Sequence, residues 1–537
     1  MGHKADRIFK ERAPGDLSGK WRCLPAFFLF ALLAAMLVAC ASQKEIRILY
    51  INDFHGFALP YAPYGSEQLQ GGLAPLAARV DELRAEKPTL FLAAGDMIQG
   101  NNWANLFCGQ SSIQALNALQ LDAMVVGNHE FDFGQVILKQ RIAEARFPVL
   151  GANVVPMGKL KPCIIRNVGG TSVAVVGVVT DDVPQTTYPR NVNGLTFLPP
   201  EETVAKYLPE LRAKSDVVVV LSHIGLNADM KLAQKVEGID VIVGGHTHTR
   251  VEKPLLSGKT IVVQAFEHVK VLGVLDLTLE QGRIVRVCGR LEPINPYGKT
   301  NKEMADLVAS YQKQVDAVMG QTVGRAMTDL DGVHVRLQET NLGNWIADVM
   351  RQTAGVDAAI FNGGTIRTSI KRGEVKVSDV YSAVPFDNYI VAIRLSGEQI
   401  RETLEHAVSG IEDEEGRFPQ ISGLSFTFDR LAPTGSRVKT VQIDGKPLVA
   451  QNEYTVATID FLAAGGDGYQ AFGEALKSSE DYELVGGAMK GEKLVYSDPG
   501  HWLRDVMVDA FRKQKEVAMK VEGRIREIRP STEAEYP

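Results

Sequence analysis

Cysteine is scarce in this chain, five in 537 residues, and no two of them stand as C-x-x-C. A thiolate zinc site and a dense disulfide framework are thereby excluded, so any bound metal must rely on imidazoles and carboxylates. Cys23 and Cys40 fall in the N-terminal segment. Cys108, Cys163 and Cys288 remain, enough for one disulfide whose pairing the spacing does not choose. Positive charge is not in excess. The 58 Lys and Arg against 64 Asp and Glu leave −6, which argues against a nucleic-acid polymer as partner. No internal repeat or low-complexity tract interrupts a composition of 45% hydrophobic and 23% charged residues, so disordered, collagen-like and fibrous classes are excluded. Long apolar runs are missing too, with one exception of 15 residues at 24–38. That is short of the roughly 20 residues needed to span a bilayer.

The exception has a context. Residues 1–23 carry six Lys or Arg and three acids, and the apolar run ends in Leu37-Val38-Ala39-Cys40-Ala41-Ser42. A basic start, an apolar core and small residues after it read as an export signal, not a structural helix. The boundary resembles a bacterial lipobox. The resemblance implies a signal peptide over 1–39, a diacylglycerol on Cys40, and a protein lipid-anchored in the bacterial cell envelope, with Ala41 favouring the outer membrane.

From residue 44 to about 290, short Val- and Ile-rich runs alternate with amphipathic stretches. The runs at 46–51, 89–94, 123–126, 172–179, 217–221, 241–243 and 260–264 fit buried strands. Leu73, Leu76, Val80 and Leu83 recur at helical spacing, and Pro88 ends that stretch. Residues 201–214 form a second helical segment. Strand–helix alternation implies an α/β layered domain. After Pro293 and Pro296, residues 300–319 read as a polar helix with Met304, Leu307, Val308, Tyr311 and Val315 on one face. It is either the link between two domains or an ordinary helix of one of them. The pattern restarts from 321, with helices at 340–353 and 397–408 and strands at 358–361, 424–428, 438–443 and 454–459. Residues 530–537 look like a loose end.

Five polar clusters each follow an apolar run: Asn52-Asp53-Phe54-His55, Gly95-Asp96, Gly127-Asn128-His129-Glu130, Ser222-His223 and Gly244-Gly245-His246-Thr247-His248. Ligands of α/β sheets gather at the carboxyl ends of strands, so the five converge on one site. The residue types suit divalent cations, with imidazoles for zinc, manganese or cobalt and carboxylates to neutralise them. Asp53 and His55 stand two apart, as do His246 and His248. Asp96 can bridge two ions, Asn128 adds a neutral oxygen, and glycines at 95, 127, 244 and 245 let the backbone turn beneath them.

This ordered set resembles the calcineurin-like metallophosphoesterases. The resemblance implies a layered β-sandwich flanked by helices over 44–295, with one ion on Asp53, His55, Asp96 and His248 and a second on Asp96, Asn128, His223 and His246. Some relatives carry Gln at the place of His248. His129 is then the residue that contacts the phosphoryl group, and Asp132 the acid that orients it. A second set follows. Glu339-Thr340-Asn341-Leu342-Gly343-Asn344 opens a helix, and Phe361-Asn362-Gly363-Gly364-Thr365-Ile366-Arg367 follows a strand. Pro385-Phe386 and the run from Phe461 through Asp467 to Tyr469 complete it. Together these resemble the C-terminal domain of 5′-nucleotidases and related UDP-sugar hydrolases. That implies a linker helix over 296–320 and a mixed α/β nucleotide-binding domain over 321–530. Phe386 and Phe461 would sandwich the base, and Arg336, Asn362, Gly364, Arg367 and Asp467 would hold base, ribose and phosphates.

The implied activity is a dinuclear-metal hydrolysis of 5′-nucleotides, with the second domain swinging between a loading and a reacting pose. Neighbouring readings are hydrolysis of nucleoside di- and triphosphates, UDP-sugars or 2′,3′-cyclic nucleotides, a related thiosulfohydrolase, and a non-catalytic nucleotide-binding surface lipoprotein. No motif bears on oligomeric state.

Overall fold

The structure is a computed structural model that describes residues 43–528 apart from 64–65, 157, 480 and 486–487. The signal segment 1–39, Cys40 and the tail 530–537 lie outside the described residues. Strand Lys44–Ile51 shows how the first half is layered. Its side chains alternate, with Ile46, Ile48 and Tyr50 entering one buried cluster and Leu49 and Ile51 another. It lies third in a six-stranded sheet ordered 283–293, 271–280, 44–51, 89–93, 123–125, 149–150. From 44–51 onward the pairings are parallel. A second six-stranded sheet runs 255–257, 260–264, 241–244, 217–223, 171–179, 163–168 and is parallel through its centre.

The two sheets face each other. Ile48, Leu92 and Val125 of one meet Val175, Val219 and Val243 of the other in a shared core. The central strands are covered on both faces, which is why Val217–Val220 is an unbroken apolar run and not an alternating one. Helix Leu73–Glu86 covers the outer face of the first sheet with Leu73, Leu76, Val80 and Leu83. Lys87, the residue before Pro88, turns to extended backbone and ends it. Helices Pro200–Lys214 and Leu226–Lys235 cover the second sheet. The result is the layered α/β arrangement that the alternation implies.

The helix Lys302–Met319 starts at Asn301, whose side chain accepts from Met304 N at 3.0 Å. It connects the two halves and is also built into the first. Met304, Val308 and Tyr311 join the core of Leu73 and Trp103, and Trp103 Nε1 donates to Val308 O at 3.2 Å.

The second half has a core of its own around a five-stranded sheet ordered 419–422, 358–362, 453–459, 389–396, 494–502. Helix Asn341–Ala354 begins at Thr340, which accepts from Gly343 N, and ends at Gly355 in the left-handed conformation. Helix Gly397–Ala407 starts with a reciprocal Ser396–Gln399 box. Cys108, Cys163 and Cys288 are free, so the one disulfide their number allows is not formed. Among the described residues no helix is long and apolar enough to cross a membrane.

Leu92 is fully buried where the two sheets meet. Leu92→Ala is expected to destabilise the first half by about 2–5 kcal/mol, read from the urea midpoint of its unfolding transition.

Candidate metal centre and its cleft

Each of the five polar clusters sits at the carboxyl end of a parallel strand. Asp53 follows 44–51, Asp96 follows 89–93, Asn128 follows 123–125, His223 closes 217–223, and His246 follows 241–244. The chain leaves the sheet sharply there. Asp53 (φ 49°), His55 (φ 49°), Asp96 (φ 58°), His246 (φ 79°) and His248 (φ 50°) all adopt left-handed backbone. Such a conformation costs a non-glycine residue on the order of 1–3 kcal/mol and persists only where its surroundings hold it. Here Asp53 N donates to Gly95 O and His55 N to Asp96 O, each at 3.0 Å. Of the four glycines expected to turn beneath the site, only Gly95 has a positive φ, at 85°. The others are small for lack of room. A Cβ on Gly127 would lie 2.2 Å from Asp96 Oδ1 and 2.7 Å from His223 Nε2.

The clusters form two groups of metal-type side chains, Asp53, His55 and His248 in one and Asp96, His223 and His246 in the other. Asp96 lies between them, with Oδ2 3.7 Å from His55 Nε2 and 3.2 Å from His223 Nε2. Asn128 Oδ1 is 3.1 Å from His246 Nδ1. The ring nitrogens on the far side are already used. His55 Nδ1 bonds Gln99 O at 2.8 Å, His223 Nδ1 bonds Ala94 O at 2.7 Å, and His248 Nδ1 bonds Glu267 Oε2 at 2.6 Å. In the neutral rings, with these Nδ1 atoms donating, each Nε2 presents a lone pair to the centre. His55 Nε2 and His248 Nε2 face each other at 3.2 Å, and buried His223 Nε2 faces Asp96 Oδ2. Lone pairs gathered beside two buried carboxylates fit divalent cations.

The electrostatics of the residues alone point the same way. Burial resists a charged His223, but Asp96 and Asp53 outweigh it and raise it to about 10. Burial and the charge of His223 lower His246 to about 4. Burial and Arg367 hold His55 well below the ordinary imidazole range. A positive charge is thus attracted to this pocket and unevenly shared by its imidazoles.

Above these groups stands His129, whose Nδ1 lies 2.6 Å from Asp132 Oδ2 and whose backbone N donates to Asp96 Oδ1 at 3.0 Å. The second half closes over it. The Phe386 ring stacks near His129 at 5.8 Å between centroids, and Arg367 Nη2 comes within 3.3 Å of His55 Nε2. The cleft between the halves measures about 1070 Å³, and Arg336, Gly364 and Phe461 line its far side. Asn362 Nδ2 donates to Asp467 Oδ2 at 2.5 Å, and Thr365 Oγ1 donates to Asn362 Oδ1 at 2.5 Å. Phe461 lies flat against Gly466, where a Cβ would sit 2.3 Å from the ring. The residues singled out from residue 96 to 467 border one cleft, except that His223 lies buried behind it with Asp53 and His55, in contact with Asp96 or His248. Arg367 lies at the His55 end of it.

Two family models match the chain, calcineurin-like phosphoesterase over residues 46–250 and the 5′-nucleotidase C-terminal domain over 318–474. A crystal structure of a 5′-nucleotidase precursor from Thermus thermophilus is similar over 90% of this chain and 100% of that one, with 32% identity and a TM-score of 0.81. The 5′-nucleotidase of Diplobatis ommata is 30% identical over 87% of this chain and 91% of its own length. The chain belongs to the 5′-nucleotidase family. It is also 33% identical, over 90% of its length, to the trifunctional nucleotide phosphoesterase protein YfkN of Bacillus subtilis, of which it spans 35%.

Two carboxylates of this 5′-nucleotidase family chain carry structural work that the spacing of metal-type residues did not disclose. Glu130 is buried and accepts from the backbone N of Gly127, Asp96 and Met97 at 2.5, 2.9 and 2.7 Å, tying two ligand-bearing loops together. Burial and the charge of Asp96 raise it to about 7. Its only signal in the sequence is its place in Gly127-Asn128-His129-Glu130. Glu267 orients His248 and is itself held by Lys270 Nζ at 2.5 Å. Glu267, His248 and His268 form a third metal-type group, but the Lys270 ammonium already neutralises that carboxylate. His268 is likewise occupied, bonded to Tyr61 OH at 2.6 Å and stacked on Phe57 at 3.8 Å. Glu267-His268 stands three residues after the apolar run 260–264, a strand-end signal that the five clusters did not include.

Glu130→Ala would leave the buried amides of Asp96, Met97, Ile98 and Gly127 without this acceptor. We expect a loss of about 3 kcal/mol or more in urea unfolding, together with a lower metal content after dialysis. Glu267→Ala is expected to weaken metal binding about 10–100-fold in competition with a chelating dye and, because it strands the buried Lys270 ammonium, to cost about 3–5 kcal/mol in urea unfolding.

Proposed function

We propose that this chain is a dinuclear-metal phosphohydrolase that releases phosphate from 5′-nucleotides outside the cytoplasm, held in the bacterial cell envelope by a lipid on Cys40. Residues 44–295 hold the metals and residues 321–530 the nucleoside. One observation carries the reading. The cluster of Asp and His side chains and the aromatic and arginine side chains of the other half open into the same cleft, with Phe386 stacked near His129 and Arg367 beside His55. A nucleotide needs both chemistries at once, a flat surface for its base and a cationic end for its phosphate.

We assign one divalent cation to Asp53, His55, Asp96 and His248, and a second to Asp96, Asn128, His223 and His246, with zinc, manganese or cobalt as candidates. Bound there, the ions supply Lewis-acid activation of water and neutralise charge on the phosphoryl group. The chain's own residues do the rest. Arg367 is half-buried in the wall of the cleft, and its fork presents paired donors to phosphoryl oxygens. Burial and Arg336 lower it only to about 10, so it stays charged at neutral pH. His129 contributes a hydrogen bond to the transferring group through Nε2, since Nδ1 is engaged by Asp132. Phe461 and Phe386 stack on the base. Stacking tolerates different bases, so several nucleotides are substrates. Asp467 and Asn362, already bonded to each other, present a fixed polar edge to the ribose and base.

The decisive experiment is phosphate release from AMP, ATP, UDP-glucose, a 2′,3′-cyclic nucleotide and NAD by chelated protein refilled with single metals. Release from AMP is expected with at least one of the three metals. Tight adenosine binding with no phosphate release from any member of the panel would replace the reading by that of a nucleotide-binding lipoprotein. His129→Ala is expected to lower kcat about 10²–10⁴-fold with metal content intact. Loss of metal in that variant would make His129 a ligand. Phe461→Ala should raise KM for AMP by about 5–150-fold, the equivalent of one lost base stack of about 1–3 kcal/mol.

A further inference from the structure

The His129–Asp132 pair does not stand alone. Asp132 uses one carboxylate oxygen, Oδ2, for His129 Nδ1 at 2.6 Å. Its other oxygen, Oδ1, accepts from the hydroxyl of Thr187 at 2.5 Å. Thr187 is 2% exposed and lies 55 positions away in the chain, at the end of the short helix Val183–Thr186. The same segment grips its neighbours. Asn191 Nδ2 donates to Asp132 O at 2.7 Å, and Asn128 Nδ2 reaches Thr186 O at 3.5 Å. The segment 186–191 thus braces the 128–132 turn and forms the neighbouring wall of the cleft.

From this geometry we infer that Thr187 is a positioning residue of the phosphohydrolase, the third member of a Thr187–Asp132–His129 chain that fixes the plane of the His129 ring. A carboxylate bonded on one side only turns freely about its Cβ–Cγ bond. Bonded on both sides, it offers the imidazole a single acceptor direction. The hydroxyl is the fixed end of this chain because its own backbone is pinned, with Thr187 N donating to Val183 O at 3.0 Å. Thr187 joins the wall of the cleft, but it is 2% exposed and its hydroxyl donates to Asp132, so the proton it offers is directed at the carboxylate. The inference rests on the proposed role of His129.

Thr187→Val keeps the shape and removes the donor. We expect kcat for AMP to fall about 10–100-fold, with KM and metal content unchanged, and Thr187→Ser, which restores the hydroxyl, to recover most of the loss. Equal kcat in wild type and Thr187→Val overturns the inference, and so does equal impairment of the Val and Ser variants, which would mark a packing role. Should Thr187→Val not fold, Thr187→Ala removes the same donor without a methyl against the carboxylate and is read in the same way. A second measurement does not depend on turnover. In chelated protein, the downfield Nδ1–H proton of His129, identified by its absence in His129→Ala, should exchange with water faster in Thr187→Val and at the wild-type rate in Thr187→Ser. Unchanged exchange in the Val variant counts against the inference. Wild-type protein that releases no phosphate, but shows the exchange pattern, would overturn the proposed function and leave the Thr187 chain standing.

Discussion

The structure is organised around one electrostatic conflict, the burial of two carboxylates and several imidazole lone pairs within a few ångströms of one another. Asp53 and Asp96 are almost inaccessible to solvent, and fully buried His223 Nε2 faces Asp96 Oδ2 at 3.2 Å. Unpaired buried charge is among the most expensive features a protein can carry, and a cation resolves it. Much of the surrounding architecture serves to hold that conflict in place. Five residues accept left-handed backbone, Gly127 gives up a side chain to make room for Asp96, and Glu130 binds the amides of two loops. A strand end in a parallel sheet is a suitable place for such work, because ladder hydrogen bonds hold each strand up to its last residue and release the chain just where the side chains must converge.

The parts of the fold that were legible in the sequence are those with a strong local cause. Val217–Val220 is buried on both faces and reads as an unbroken apolar run. Leu73 to Leu83 keeps helical spacing, and Pro88 stops it. The five polar clusters were legible because each interrupts an apolar run with Asp, Asn or His. What stayed hidden depends on tertiary contact. The helix Lys302–Met319 reads as a connector, yet Met304, Val308 and Tyr311 bury themselves in the first core, and no periodicity says which neighbour a face will find. The long antiparallel pair Val271–Glu280 and Arg283–Pro293 closes the first sheet beside strand 44–51 although more than 200 residues separate them, a pairing set by topology and not by local pattern.

The same division runs through the site. Side chains that point at a metal announce themselves by type. Those that hold them do not, because an ordinary Glu, Thr or Lys is common everywhere. Glu267 becomes meaningful only once His248 Nδ1 is seen 2.6 Å away, and Arg367 acquires its position at the His55 end of the cleft only when the two halves are folded together. The roles that resemblance assigns to Phe386, Phe461 and Asp467 likewise depend on this closure, since each is an ordinary residue of its own element.

The cleft lies across a boundary between two separate hydrophobic cores. Under the proposed reading, the Asp and His cluster and the stacking rings are therefore written in separate stretches of the chain, with Arg367 of the later stretch reaching across to His55. A change beside Phe386 or Phe461 can then alter which base is accepted while the packing around Asp53 and Asp96 stays as it is.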